Sequence, residues 1–111
     1  MHEWAKLVPE LSVSDVAASQ RFWVGLIGFE VMYARPEEGF VYLNLAGAQV
    51  MLEAVQADQW LPAPLVRPFG NGLNLQIEVP ALAPILARLA QDPDGYLLRL
   101  VEVLGNRPYV V

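Results

Sequence analysis

An alternating apolar run followed at once by a helical pattern occurs twice in this chain, and that repetition limits the folds open to it. Residues 7–13 alternate apolar and polar side chains as in a half-buried strand, and residues 15–27 then carry apolar side chains at helical spacing. The same order returns in residues 73–79 and 80–90. A repeat of this kind predicts two strand–helix modules packed into one pseudo-symmetric body.

The segments after each helix complete the two modules. Three strands are predicted after the first helix, at residues 29–34, 40–45 and 49–55. After the second helix, a turn at residues 91–95 leads to one strand at 96–103. We therefore predict a single domain over residues 1–111, with modules at about 5–55 and 73–104 and a Pro/Gly-rich linker at 56–72.

Composition excludes several classes of protein. The net charge of −5 argues against a nucleic-acid binder that relies on phosphate neutralisation. The chain has no cysteine, and its one histidine, His2, lies next to the start of the sequence, so a cysteine metal site or a histidine triad is not expected. No apolar run reaches the roughly 18 residues of a membrane span, and residues 1–4 do not resemble a signal peptide. We expect a cytoplasmic protein with no membrane contact.

The apolar content also carries information. Of the 111 residues, 55% are hydrophobic and only 17% are charged. A domain of this size cannot bury every apolar side chain internally. The surplus predicts an apolar surface for a partner, and the two-module interpretation indicates that this partner is a second copy of the chain.

Several short motifs carry a resemblance to a known family. They are LSVSD at 11–15, FW at 22–23, LIGFEV at 26–31, FVYL at 40–43, VMLE at 50–53 and DPDGYLLRL at 92–100. Taken in this order, they resemble the vicinal oxygen chelate superfamily, which comprises glyoxalases, extradiol dioxygenases and bleomycin resistance proteins. The resemblance implies an α+β fold in which paired β-α-β-β-β modules form a cupped, mixed or antiparallel sheet.

Strand periodicity assigns residues to the two faces of that cup. Seven apolar residues should face the helices: Leu11, Val13, Leu52, Leu75, Ile77, Leu98 and Leu100. Nine mostly polar residues should line the cup: Glu10, Ser12, Tyr42, Asn44, Met51, Glu53, Asn74, Gln76 and Arg99. Such a cup is a binding surface rather than a sealed core.

The resemblance also locates the four positions that hold a metal ion in metal-dependent relatives. They fall on Val8, Glu53, Asn74 and Arg99. Only Glu53 is a good ligand, because valine has no donor atom and the Arg99 guanidinium would repel a divalent cation. We therefore expect no metal and no other cofactor.

Seven residues are the predicted ligand-binding set: Tyr42, Asn44, Glu53, Trp60, Phe69, Asn74 and Arg99. Two alternatives stay open. Glu53 and Arg99 could instead form a salt bridge across the cup, and the loop aromatics Trp60 and Phe69 could pack onto the domain. Trp23, on the apolar face of the first helix, is predicted to be core.

Function follows from the metal-less branch of the family. The resemblance implies a metal-independent homodimer that sequesters a bulky cationic or aromatic molecule, such as a bleomycin-like glycopeptide, in a groove between subunits. The chain would then be a binding protein rather than an enzyme. The alternatives are a metal-dependent glyoxalase-like lyase or dioxygenase, and a structural dimer with a vestigial cup.

One departure from the family pattern concerns length. A strand normally separates the second helix from the DPDG turn, but here Ala90 runs directly into Gln91. The second module is therefore shortened, and we expect residues to be missing between these two positions because the last strand would otherwise lack a neighbour.

Overall fold

The computed structural model describes residues 3–56, 63–86 and 96–101. These ranges contain six strands: β1 (Glu10–Val13), β2 (Glu30–Arg35), β3 (Phe40–Leu45), β4 (Ala48–Ala54), β5 (Asn74–Glu78) and β6 (Leu97–Val101). The helices are α1 (Val16–Gln20), a π-helix (Arg21–Ile27), a 3₁₀ helix (Pro36–Glu38) and α2 (Ala83–Leu86). The predicted α+β class is confirmed.

The first four strands form one mixed sheet in the order β1-β4-β3-β2. β3 and β4 pair as an antiparallel hairpin across a turn in which Ala46 and Gly47 have φ of 49° and 97°, the left-handed values of a tight hairpin turn. β1 runs parallel to β4, with Leu11 opposite Leu52. A parallel pair needs a crossover, and the helical segment after β1 provides it.

β1 is shorter than predicted, because it begins at Glu10 rather than Leu7. Pro9 has no N–H to donate to a sheet, and only its carbonyl bonds to β4, accepting from the Met51 N–H at 2.9 Å. Leu7 is exposed. Alternation of apolar side chains alone therefore overstated the strand.

The first helix lies where it was predicted, but it is not a uniform α-helix. Asp15 caps its start by accepting from the Ala18 N–H, and Gly28 ends it in the left-handed conformation. Beyond Gln20 the helix widens to a π-helix, which brings Phe22 and Ile27, five residues apart, onto one buried face. A sequence pattern read at 3.6 residues per turn does not distinguish this widening.

The core lies between this helix and one face of the sheet. Val13, Trp23, Val41, Leu43 and Leu52 are fully buried there. Leu11, Val13, Leu52 and Ile77 are buried as predicted, and Leu75, Leu98 and Leu100 pack partly buried against the same cluster.

β5 and β6 form a separate two-stranded parallel sheet, with Gln76 opposite Arg99. Ile77 and Tyr96 belong to the same core cluster as the first sheet, and the Tyr96 hydroxyl donates to the Ser12 carbonyl at 2.7 Å. β6 thus relates to β5 as β4 relates to β1. The predicted turn at 91–95 and the Ala90–Gln91 junction lie outside the described residues.

Candidate functional site

Strand register gathers the polar side chains of the first sheet on the face away from α1, which we call the polar face. Side chains directly opposite one another across strands point to the same side of a sheet. The registers therefore give three rows: Ser12–Glu53–Phe40–Arg35, Glu10–Met51–Tyr42–Tyr33, and Gln49–Asn44–Glu30. A bulge in β2 between Val31 and Tyr33 turns Tyr33 toward this face. The cup residues predicted on β1, β3 and β4 all belong to these rows.

Two carboxyl groups lie together at one end of the polar face. Glu10 and Glu53 are close enough to hydrogen-bond through their side chains. Partial burial raises the pKa of Glu10, the charge of Glu53 raises it further, and the charge of Arg35 opposes the rise. This end of the face therefore places two acidic side chains side by side.

Aromatic rings form the neighbouring part of the face. Tyr33 and Tyr42 are stacked with ring centroids 5.3 Å apart, and Phe40 lies 5.7 Å from Tyr33. Trp4 meets both tyrosines edge-on, at 5.2 Å from Tyr42 and 6.0 Å from Tyr33. Rings beside carboxylates suit a ligand that is both aromatic and cationic.

The third row is a closed hydrogen-bond network. The Tyr42 hydroxyl donates to Gln49 Oε1 at 2.7 Å, and Gln49 Nε2 donates to Asn44 Oδ1 at 3.1 Å. Asn44 Nδ2 then donates to Glu30 Oε1 at 3.0 Å. Tyr42 and Asn44 are only 6% and 4% exposed, and burial raises the pKa of Tyr42. The structure therefore places these two predicted ligand-binding residues inside a satisfied network.

The chain's N-terminal segment, residues 3–5, closes this network from outside. The Ala5 N–H donates to Gln49 Oε1 at 2.8 Å, while Gln49 Nε2 donates to the Glu3 carbonyl at 2.7 Å. Trp4, between them, rests against the tyrosine pair but is still 61% exposed. Trp4, Gln49 and Tyr33 are site residues that the sequence analysis did not single out. A tryptophan just before a polar, alternating strand was the one available signal.

The remaining predicted residues lie elsewhere. Arg99 donates to Gln76 Oε1 at 2.5 Å, and within residues 3–56 and 96–101 no ion pair joins it to Glu53. Asn74 is exposed at the start of β5. Phe69 packs partly buried against the core, with the Arg67 guanidinium 4.8 Å from its ring, and Trp60 lies outside the described residues.

The four family metal positions do not suit a divalent cation. Val8 has no donor atom, and the Arg99 guanidinium carries a positive charge and donates a hydrogen bond to the Gln76 amide oxygen. In the described part of the chain no three acidic or histidine side chains form a group that could hold an ion. The donor set of Glu53 and an exposed Asn74 falls short of the three or four ligands that such a site needs.

A cavity of about 440 Å³ also lies between the two sheets, on the core side. Leu7, Trp23, Phe29, Val50 and Leu75 are among the residues that line it, and the described lining holds no ionisable side chain. This cavity therefore offers a ligand an apolar surface but, among its described residues, no charge to pair with a cation. No helix in the parts of the chain that the structure describes is long and apolar enough to cross a membrane.

Comparison with known proteins shows which solved structures this chain resembles. No protein-family model matches the sequence, and no curated protein matches it. Among solved structures, a glyoxalase/bleomycin resistance protein/dioxygenase superfamily member from Vibrio splendidus 12B01 is 36% identical, with 85% of this chain and 95% of that chain covered and a TM-score of 0.42. Here the sequence identity carries the relationship.

Two further structures share the fold at lower identity. An integron cassette protein from the mobile metagenome of V. cholerae is 15% identical with a TM-score of 0.64, covering 92% of this chain and 98% of that one. The bleomycin-binding protein of Streptomyces verticillus, solved with copper(II)-bleomycin, is 20% identical with a TM-score of 0.50, covering 78% and 62%. Because the chain is 36% identical to the Vibrio splendidus protein over 95% of that protein's length, it belongs to the glyoxalase/bleomycin resistance protein/dioxygenase superfamily.

Proposed function

We propose that this chain is a small-molecule binding protein that sequesters a bulky cationic or aromatic ligand without a metal ion and without chemistry. The ligand binds to the polar face, in a groove completed by a second copy of the chain. A bleomycin-like glycopeptide is the reference ligand, because a bleomycin-binding protein shares the fold.

The observation that carries this proposal is the end of the polar face where carboxyl groups and aromatic rings lie together, which we call the open end. Glu10 and Glu53 supply carboxyl groups and Tyr33 supplies a partly exposed ring within the first two rows, and the exposed Trp4 ring meets Tyr33 edge-on beside them. Carboxylates raise the local concentration of a cation, and rings add stacking and cation–π attraction of about 0.5–2 kcal/mol each.

The donor set supports binding without metal. Of the four positions at which relatives hold an ion, only Glu53 offers a carboxylate, and Arg99 brings a permanent positive charge. A Lewis-acid mechanism would need ligands that these positions do not supply.

The edge of the first sheet supports the dimer. β2 is the outer strand of the four-stranded sheet, and Val31 and Tyr33 on it are 41% and 39% exposed. An outer strand with apolar side chains is a surface that a second copy can cover. This strand also borders the polar face, so a partner there would deepen the ligand groove.

Titration calorimetry with metal-free bleomycin and with copper(II)-bleomycin tests the proposal. We expect saturable binding that Glu53→Gln weakens about 3- to 10-fold, since one charge is lost from the face. Glu37→Gln is the matched control, because it removes the same charge from the exposed 3₁₀ helix and should change binding little.

Two further measurements complete the test. Native mass spectrometry is expected to give a dimer, and elemental analysis is expected to give well under one metal ion per chain. Stoichiometric zinc, nickel, iron or manganese would overturn metal independence. Equal effects of the Glu53 and Glu37 substitutions would remove the polar face from the proposal.

A further inference from the structure

The Arg35 guanidinium, a planar cation, lies over the aromatic part of the polar face. Its guanidinium carbon lies 4.2 Å from the centroid of the Phe40 ring and 5.8 Å from that of Tyr33. Register puts Arg35, Phe40 and Glu53 in one row across β2, β3 and β4. The Arg35 guanidinium therefore lies over the Phe40 ring, and Phe40 is the direct cross-strand neighbour of Glu53.

The contacts that hold Arg35 in this place are those of a surface side chain. Its Nε pairs with the Glu38 carboxylate three residues away, and the two side chains are 47% and 57% exposed. An exposed ion pair contributes little net stability, because both charges are well solvated when apart. The guanidinium can therefore leave the Phe40 ring without disturbing the core.

Arg35 also acts on the carboxyl pair through Glu10, which lies in the neighbouring row. Its positive charge lowers the pKa of Glu10, against the raising effects of burial and of Glu53. The guanidinium thus supplies part of the charge compensation that a cationic ligand would supply. Removing the guanidinium should therefore raise the affinity of the carboxyl groups for an added cation.

We propose that Arg35 stands in for the cationic group of the ligand, and that the ligand carries a planar, delocalised cation such as a guanidinium or amidinium. The ligand cation would replace Arg35 over Phe40 and would face the carboxyl groups of Glu53 and Glu10. This inference rests on the proposed function and specifies the ligand class of the same site. A delocalised cation is favoured over a compact ammonium because it stacks flat on a ring and is more weakly hydrated.

The experiment compares three probes of similar size by NMR titration: benzamidine, benzylamine and benzamide. They carry a planar cation, a compact cation and no charge, respectively. Each is titrated into the full chain and into Arg35→Gln. We expect benzamidine to bind more tightly to the variant by about 3- to 10-fold, since it no longer competes with an internal cation. Benzylamine should gain less, and benzamide should not respond.

Two other variants make the comparison specific. Arg67→Gln removes the other described guanidinium–phenylalanine contact, over Phe69, and should leave benzamidine binding unchanged. Arg35→Lys keeps the charge but loses the planar group, so its affinity for benzamidine should lie between those of the wild type and Arg35→Gln. Circular dichroism confirms that each variant is folded before titration.

The outcomes separate this inference from the proposed function. Equal benzamidine affinity in the wild type and Arg35→Gln, or weaker binding in the variant, would overturn the role given to Arg35 while leaving a cation-binding face in place. A larger gain for benzylamine than for benzamidine would overturn the planar ligand class. If no cation binds any variant and bleomycin also fails to bind, both proposals are wrong.

Discussion

Replacing Gln49 with leucine tests whether the third row of the polar face and the N-terminal segment form one unit. All the hydrogen-bonding capacity of the Gln49 side chain is used. Its oxygen accepts from the Ala5 N–H and the Tyr42 hydroxyl, and its nitrogen donates to the Glu3 carbonyl and to Asn44 Oδ1. Leucine has a similar volume but makes none of these bonds, so the substitution removes four interactions at once.

The magnitude follows from where each partner is left. The Tyr42 hydroxyl is buried and loses the one acceptor described for it, which costs about 1–3 kcal/mol. Ala5 and Glu3 lie in the chain's N-terminal segment and regain water, so their bonds add only about 0.5–1 kcal/mol each. Asn44 keeps its bonds to Glu30 and to the Gly47 N–H. The total is about 2–5 kcal/mol, or a fall in Tm of roughly 8–20 °C for a domain of this size.

Urea unfolding followed by circular dichroism measures this loss. Gln56→Leu is the matched control, because Gln56 is exposed and its Nε2 donates to the Glu38 carbonyl at 3.0 Å at the surface. It should cost less than about 0.5 kcal/mol. A double-mutant cycle with Tyr42→Phe sharpens the test. Once the hydroxyl is gone, Gln49→Leu leaves no buried donor, so the double variant should be at least about 1 kcal/mol more stable than the sum of the single effects. Strict additivity, or equal losses for the two glutamines, would refute the network.

Three further predictions concern single positions. Glu10→Gln should stabilise the fold at pH 7 by less than about 1 kcal/mol, since solvent screens much of the interaction. Tm measured at pH 7 and at pH 4 should show that this gain vanishes near pH 4, about where an ordinary carboxyl is half protonated. The sign follows because a raised pKa stabilises the protonated form: that contribution is present at low pH and is lost as the pH rises through the raised pKa of Glu10. Gly39→Ala should destabilise by about 2 kcal/mol or more in urea unfolding, because φ is +62° and the new Cβ would lie 2.8 Å from that of Ala54; a neutral result would contradict this close approach. Leu52→Ala should cost about 2–5 kcal/mol in the same assay, since the side chain is fully buried, and a loss under 1 kcal/mol would contradict its place in the core.

Much of the first sheet could be predicted because its pattern is local. A two-residue period fixes which side chains share a face, and Leu11, Leu52 and Glu53 lie on the sides that the period assigns them. The hairpin between β3 and β4 was equally accessible, since residues 46–48 are suited to a tight turn. These features depend on neighbours a few residues apart.

The closed end of the site could not be predicted because it depends on a distant pairing. The two bonds from Gln49 to the N-terminal segment join residues 44 and 46 positions apart, and no local pattern encodes them. Tyr42 and Asn44 were assigned to the correct face, yet their burial is set by residues 3–5 folding over them. Similarly, the position of Arg35 over Phe40 follows from register and a bulge rather than from composition.

The closed and open ends of the polar face together determine how it can select a ligand. At the closed end the side-chain groups already bond one another, so a ligand would have to break a buried network to use them. At the open end the groups are carboxyl groups and rings, which select by charge and shape rather than by matched hydrogen bonds. A net charge of −5 alone does not establish this preference, since acidic composition is compatible with many functions. We attribute the proposed preference to Glu10 and Glu53, which share these rows with Tyr33, Phe40 and the exposed guanidinium that we propose a ligand cation replaces. The proposed selection for a cation would therefore be a property of this half of one sheet face, and we expect substitutions there to change ligand choice more than stability.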